Sequence, residues 1–370
     1  MNTLVKILII LVVILIALGA IMVFTASGTY SLTRFNNLYF LFKSHLWKVF
    51  VAIIAMVVCS QIPYDKYRDH SKKLLFFIIS VLVLTFLFAP KVKGASRWIE
   101  IGSFQFQPSE VAKVFLIMHL AMMIERMGDD LKDFRKGFVF PLIWIGIISG
   151  LVMIQPNVST SLIIVITSFA LLFAAGARMK HIFGIIFSTS FVAAGAIMLF
   201  KHSRERVITF IGSLVNGGDI NIQVKQAKIA LGSGGLFGMG LGHSRQSDLF
   251  LPESYGDFIF SVLGEQMGFV GAVTILFLYL VLFLICLVIA KKAQDRFGQL
   301  LVLGLGFNII VSAFINAGVV TGLLPTTGIT LPFISFGGTS IILFGISAGI
   351  IINVGRQTVK TTELKIAQVG

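Results

Sequence analysis

Charge is what this sequence has least of. Only 12% of its 370 residues are Asp, Glu, Lys or Arg, whereas 56% are hydrophobic and the mean hydropathy is +0.95. Soluble globular domains carry about a quarter of their residues as charges, so that class is excluded and a polytopic membrane protein is indicated. Cysteine is almost missing. Cys59 and Cys286 both lie in apolar runs, which leaves no disulfide framework and marks them as packing residues. Also missing are a metalloprotease H-E-x-x-H, a Walker A loop, a G-x-S-x-G elbow and any Cys/His cluster; the six histidines are scattered, and His119 reads as a packed side chain. The glycine-rich Gly232–Gly242 stretch lacks G-x-G-x-x-G spacing, so its glycines read as sites of close backbone approach and positive φ rather than as a nucleotide loop.

The charge that is present is lopsided, with 30 basic against 16 acidic residues. In a membrane protein this does not signal nucleic acid, because Lys and Arg gather in cytoplasmic loops. The run from Ile7 to Val23 is too long for a signal-peptide core and reads as the first retained span. Hydropathy predicts about ten transmembrane helices, near 4–26, 45–62, 73–90, 109–125, 138–155, 159–176, 182–201, 268–290, 298–321 and 339–355. The fold class expected is therefore an all-α polytopic membrane protein forming a single transmembrane domain over 1–356. A large extracytoplasmic loop, 202–256, separates spans 7 and 8. Two short apolar segments, near 226–242 and 257–267, read as interfacial or re-entrant, a re-entrant stretch is expected at about 322–338, and 357–370 is a polar cytoplasmic tail. With both termini cytoplasmic, the inner side collects the larger share of Lys and Arg. The outer side is nonetheless more basic than that rule leads one to expect, and a basic outer surface suits an anionic head group. A snorkelling belt of Lys, Arg and Trp is the alternative.

Five outer segments hold nearly all the unusual residues. In Leu251–Gly268, Glu253, Asp257 and Glu265 stand at a membrane edge, where carboxylates are costly and usually functional. If Asp257 opens a helix, Asp257, Ser261 and Glu265 form one polar stripe. Arg97-Trp98 is followed by Gln107, Ser109, Glu110 and Lys113. There Ser109 is a candidate N-cap and Glu110 the nearest partner for an intramembrane lysine. This is a capped helix with a local ion pair, or else Arg97 and Lys113 hold a phosphate while Glu110 orients them. Gln155–Thr160 is a short uncharged turn containing Asn157, weak on its own. Gly232–Gly242 is the fourth, and Leu323–Ser340, broken by two prolines, contains Ser335 and no acid or base, a segment suited to shaping a cavity.

Together these stretches resemble the shape, elongation, division and sporulation (SEDS) family, with its FtsW and RodA branches. The matching text is GASRWIEIGSFQFQPSEVAK (94–113), IALGSGGLFGMGLGHS (229–244), LPESYGDFIFSVLGEQMGFVG (251–271) and INAGVVTGLLPTTGITLPFISFGGTS (315–340), and the last of these is more similar to the FtsW branch. The resemblance covers nearly the whole chain. It implies a peptidoglycan glycosyltransferase polymerising lipid II at the outer face of the bacterial cytoplasmic membrane beside a class B penicillin-binding transpeptidase. It places the family's essential acid, in the motif L-P-E-x-x-x-D-F, on Asp257 and its basic positions on Arg97 and Lys113, with Glu110 beside them. Gln107, Ser109, Glu253 and Ser335 are the further substrate-binding candidates, with Glu265, Ser261 and Asn157 in support. Two positions depart from the family pattern: Asn157 and Ser159 stand where it often has Q-P-D-x-G-T, and Tyr255-Gly256 stands where it often has His-Thr. No cofactor is firmly implied, a divalent cation (Mg or Mn) staying open, and the partners expected are lipid II, the transpeptidase and membrane lipid, with no nucleic acid.

These residues suit an inverting transfer with Asp257 as general base and Arg97 and Lys113 as pyrophosphate ligands. A lipid II flippase would need a polar path across the spans, and a non-catalytic scaffold for the transpeptidase would need no carboxylate at all.

Overall fold

The computed structural model describes residues 3–90, 97–101, 104–215, 221–246, 251 and 254–369. The long aliphatic runs fold as helices because each backbone amide is then satisfied within its own segment, as hydrocarbon demands. The first half contains α1 (Thr3–Phe35), α2 (Phe40–Gln61), α3 (Tyr64–Phe88), α4 (Pro108–Met127), α5 (Val139–Ile154), α6 (Val158–Ala174) and α7 (Met179–Leu199). Two shorter helices follow, α8 (Lys201–Val215) and α9 (Ile222–Ser233), and then α10 (Ile259–Lys292), α11 (Arg296–Val320) and α12 (Thr339–Val369). A two-stranded antiparallel hairpin, β1 (Ile99–Ile101) with β2 (Phe104–Phe106), pairs Ile99 with Phe106. A helix occupies each of the ten expected spans. Among the described residues seven helices are long and apolar enough to cross a membrane, and α6 is a shorter apolar one.

α11 sits centrally against α4, α6, α10 and α12, while α2 runs along α12 and α3 along α4. The α2–α12 contact depends on glycine. A Cβ on Gly345 would stand 2.6 Å from the Ala52 carbonyl oxygen, and one on Gly349 would stand 2.4 Å from that of Met56. This is the small-xxx-small spacing that brings membrane helices together where water supplies no driving force. Phe77, Leu87 and Phe88 on α3, Phe183, Phe187 and Phe191 on α7, and Phe277 and Leu284 on α10 face outward as a lipid-exposed apolar surface.

The two ends of the bundle differ. The start of α1 meets α12 near residue 355, where a Cβ on Gly355 would lie 2.8 Å from Val5. At that end Arg68 bridges Glu125 and Asp295, each at 3.3 Å, and also contacts Asp65. The Phe297 amide donates to Glu125 at 3.2 Å. These groups are partly exposed, so each pair is worth at most about 1 kcal/mol, and the cluster serves mainly to hold the starts of α3 and α11 at the end of α4.

At the opposite end the chain leaves regular structure in two places. Most of the stretch predicted as short apolar segment 257–267, from Ile259 onward, opens α10 and runs up to Gly268, where φ 69 and ψ −172 break the helix. The carbonyls of Glu265 and Gln266 accept instead from Met239 N (2.9 Å) and Gly240 N (3.1 Å), and Phe269 N and Val270 N donate to Gly235 and Leu236 (2.9 and 3.1 Å). Gly238, at φ 84, would place a Cβ 2.2 Å from the Gln266 oxygen, so the glycine-rich stretch acts by close backbone approach. Between α11 and α12 the backbone is irregular over 321–338, and Leu331–Ser335 is buried. α12 then continues as helix to Val369, through the residues expected as a tail, because no glycine or proline stops it after Gly355 before Val369.

Gly349→Leu should wedge α2 from α12 and cost about 1–3 kcal/mol. The check is thermal unfolding in detergent micelles, and an unchanged midpoint would show that the two helices do not depend on the glycine seat.

Candidate active site

The irregular end encloses a cavity of about 1040 Å³. Its wall is assembled from the starts of α2, α4, α6 and α12, the end of α11, the hairpin and the turn before α10. It is rich in cations: Lys43, Lys48, Arg97, Lys113 and Arg206 face two carboxylates, Glu110 and Asp257.

Asp257 does not open a helix. It lies in a turn ahead of α10, whose N-cap is Phe258. Three consecutive carbonyls of that turn are each bound by a donor from the segment 316–336. Phe336 N donates to Tyr255 O at 2.9 Å, Ser335 Oγ to Gly256 O at 2.8 Å, and Asn316 Nδ2 to Asp257 O at 2.7 Å. Asn316 Nδ2 also donates to Ile329 O at 2.7 Å, tying in the loop whose Gly328, at φ +74, leaves room beside Asp257 Oδ2. A side chain on Gly328 would be strained by its φ, and its Cβ would stand in contact with that oxygen at 3.4 Å. The Tyr255 ring packs between Tyr30 (5.3 Å) and Phe336 (5.4 Å), which fixes the turn from the other side.

The expected polar stripe divides, because the helix begins after Asp257 and its register turns Ser261 and Glu265 inward. Ser261 Oγ donates to Phe258 O at 2.6 Å. Glu265 is buried and accepts from Arg245 N at 3.1 Å and from Ser244 Oγ. Neither lines the cavity. Glu253 lies outside the described residues.

Lys113 and Glu110 form the ion pair expected of them, 2.9 Å apart with 5% and 12% of their side chains exposed, and both line the cavity. The N-cap of α4 is Gln107 rather than Ser109, because Pro108 takes the first helical position, where its missing N–H costs nothing. Gln107 lines the cavity and its amide donates to Thr339 Oγ1 at 2.8 Å. Ser109 is buried and accepts from Asn157 Nδ2 at 3.3 Å. Asn157 also caps α6, its Oδ1 accepting from Thr160 N, and it lines the cavity as a neutral group where an acid is usual in the family pattern. Ser335, with Leu331 N donating to it at 2.8 Å while it holds Gly256, is a brace beneath the turn.

Arg97 donates through Nε to Gln155 O at 3.1 Å and through Nη2 to Pro156 O, so it also caps the C-terminal end of α5. Burial, with the like charge of Arg206 added, pushes Arg97 down to about 10, which leaves it cationic at neutral pH. Arg206, on α8, donates to Thr326 O at 3.1 Å. Burial lowers its pKa, and the nearby Asp257 carboxylate opposes that shift. Sequence reasoning did not single out Arg206, Lys43 or Lys48. Their one signal was collective, the excess of basic residues on the outer side. Among the described residues no three His, Cys, Asp or Glu side chains come together.

Helices spanning a membrane, with a cation-lined chamber at one end and one braced carboxylate inside it, define a polytopic membrane protein whose polar chemistry lies at the membrane edge. The sequence matches the profile of the FtsW, RodA and SpoVE family, described as a cell cycle protein, over residues 5–360, and the chain belongs to that family. It is 36% identical over 353 residues to the probable peptidoglycan glycosyltransferase FtsW of Geobacter sp. strain M18, covering 93% of this chain and 95% of that one. It is also 36% identical to the stage V sporulation protein E of Bacillus subtilis, over 95% of this chain and 96% of that one. Among solved structures, it superposes on RodA of Thermus thermophilus with a TM-score of 0.70 at 23% identity, covering 95% of this chain and 96% of RodA. A chain from a peptidoglycan synthase complex, described as coordinating polymerization and crosslinking, gives a TM-score of 0.76 at 22% identity over 95% of this chain and 97% of that one. These two likenesses establish the fold.

Asn316→Ala removes both bonds of one amide and leaves two part-buried carbonyls without that donor, a cost of about 1 kcal/mol or more. A lowered unfolding midpoint together with weakened turnover is expected. Full stability and turnover would mean that the turn is held without Asn316.

Proposed function

We propose that this chain is a peptidoglycan glycosyltransferase that polymerises lipid II at the outer face of the cytoplasmic membrane. The observation that carries the reading is the single chamber in which Asp257 faces Arg97, Lys113 and Arg206. Membership of the family and the activity named for the Geobacter relative support it. The basic distribution assigns the end shared by the start of α1 and the 355 level of α12 to the cytoplasm, and the chamber to the outside.

The chemistry asks for few groups. The Asp257 carboxylate takes the proton of the acceptor 4-hydroxyl. The oxygen's electron pair forms the bond to C1 of the donor sugar as the bond from C1 to the diphosphate oxygen breaks. The diphosphate leaves with that electron pair, and Arg97, Arg206 and Lys113 offset its charge. Attack from the face opposite the leaving group turns an α-linked donor into a β-1,4 link. A diphosphate departs readily, so no second carboxylic acid is needed, in contrast to glycoside hydrolysis. Glu110 holds Lys113 in place for this role.

Two rival readings fare less well. A flippase is expected to place charges near the middle of its path, whereas residues 297–355, which supply the central helix and most of α12, contain no Asp, Glu, Lys or Arg. A scaffold would have no use for a braced carboxylate among cations. Docking to a crosslinking partner, a class B penicillin-binding transpeptidase, is compatible with the enzyme reading, and the likeness to a chain of a synthase complex favours it.

Purified protein in nanodiscs, given lipid II with and without the transpeptidase, should form glycan strands resolved on a gel. Asp257→Asn should lower the rate by at least about a hundredfold, the usual worth of a general base, while leaving partner binding intact. Absence of polymer from the parent protein with its partner would overturn the enzyme reading, and full activity in Asp257→Asn would overturn the assignment of the base.

A further inference from the structure

The cations of the chamber fall into two groups, and the mechanism above uses one of them. Lys43 and Lys48, from the first turns of α2, line the same cavity without a role. Among the described residues neither pairs with a carboxylate. Lys48 is half-buried, its Nζ 3.9 Å from the centre of the Phe336 ring. His45, one turn away on the same helix, is buried against that ring (6.0 Å) with neither ring nitrogen partnered. A half-buried ammonium at a membrane edge is costly unless an anion meets it, and a ring face offsets only about 0.5–2 kcal/mol of that cost.

A chain of contacts leads from Lys48 to the base. Lys48 lies over Phe336, Phe336 packs edge-on against Tyr255 at 5.4 Å, and Tyr255 is two residues from Asp257. Arg206, by contrast, feels the Asp257 carboxylate directly. The transfer proposed above involves two lipid diphosphates, and this inference rests on that reading. One diphosphate leaves from the carbon under attack and must lie beside the base. The other stays on the acceptor, two sugar rings from the hydroxyl that reacts.

We propose that Lys48, assisted by Lys43, binds the diphosphate of the acceptor lipid, while Arg206, Arg97 and Lys113 receive the departing one. Lys48 then sets affinity for the incoming lipid and takes no part in bond breaking. The Phe336 and Tyr255 rings between the two groups give the acceptor's sugars apolar faces to lie on.

Lys48→Gln, Lys48→Arg and Arg206→Gln are to be compared in steady-state polymerisation with lipid II, in phosphatidylcholine nanodiscs and in nanodiscs containing phosphatidylglycerol. Lys48→Gln should raise KM for lipid II about tenfold with kcat kept within about twofold, Lys48→Arg should restore KM, and Arg206→Gln should lower kcat. An unchanged KM in Lys48→Gln, or a fall in kcat like that of Arg206→Gln, overturns the proposal. So does a Lys48 effect seen only in phosphatidylglycerol, which would make the site one for bulk anionic lipid. A second arm measures equilibrium binding of undecaprenyl diphosphate to Asp257→Asn, Arg206→Gln protein, in which the site for the departing diphosphate is weakened, with and without Lys48→Gln. If the parent makes no glycan, the enzyme reading fails, and this arm still decides the site: equal binding with and without Lys48 rules it out.

Discussion

Everything at the chamber end of the bundle depends on how three carbonyls are satisfied. The turn Tyr255–Asp257 belongs to no helix or strand, so its backbone oxygens need partners from elsewhere. Phe336, Ser335 and Asn316 supply one donor each. The donors come from the end of α11 and from the irregular chain after it, which makes that irregular chain the template for the carboxylate's position. Tyr279 on α10 completes the brace by donating to Pro332 O. A site assembled in this way is pre-organised, since the carboxylate's backbone is fixed before any ligand arrives.

Much of the architecture was legible in the sequence. Hydrocarbon permits few backbone solutions, so apolar length alone foretells helices, and a helix lies where each of the ten spans was expected. Local ion pairing was legible too, because Glu110 and Lys113 are one turn apart and their contact needs no tertiary information. What the sequence hid was register and distance. The stripe of Asp257, Ser261 and Glu265 assumed a helix start two residues too early, which takes Asp257 out of the stripe, and the packing of α10 buries Ser261 and Glu265 away from the chamber. Ser109 looked like a cap until Pro108 claimed the first helical position. Arg206 and Lys48 lie far from Asp257 along the chain, on helices with no motif of their own, so only folding brings them to the same wall.

The departures from the family pattern acquire a physical meaning in this setting. Asn157 offers an amide where an acid is usual, and it spends that amide on capping α6 and holding Ser109. The cavity therefore carries one less negative charge and is more strongly cationic. Tyr255 replaces an imidazole with a phenol ring that packs tilted against Tyr30 and edge-on against Phe336. Both changes favour anionic ligands and stacking over additional acid–base groups.

A glycine break within a long membrane helix ordinarily suggests a hinge. At Gly268 the opposite follows from the four backbone bonds that cross to Gly235–Gly240. To swing the first piece of α10, those four backbone bonds would have to open together, which opposes motion at the glycine. The bend is thus a welded corner whose angle is set by the glycine-rich stretch. The segment leading out of the Asp257 turn inherits that stiffness, and strain applied to the glycine-rich stretch would be passed to the start of α10 instead of being absorbed at the joint.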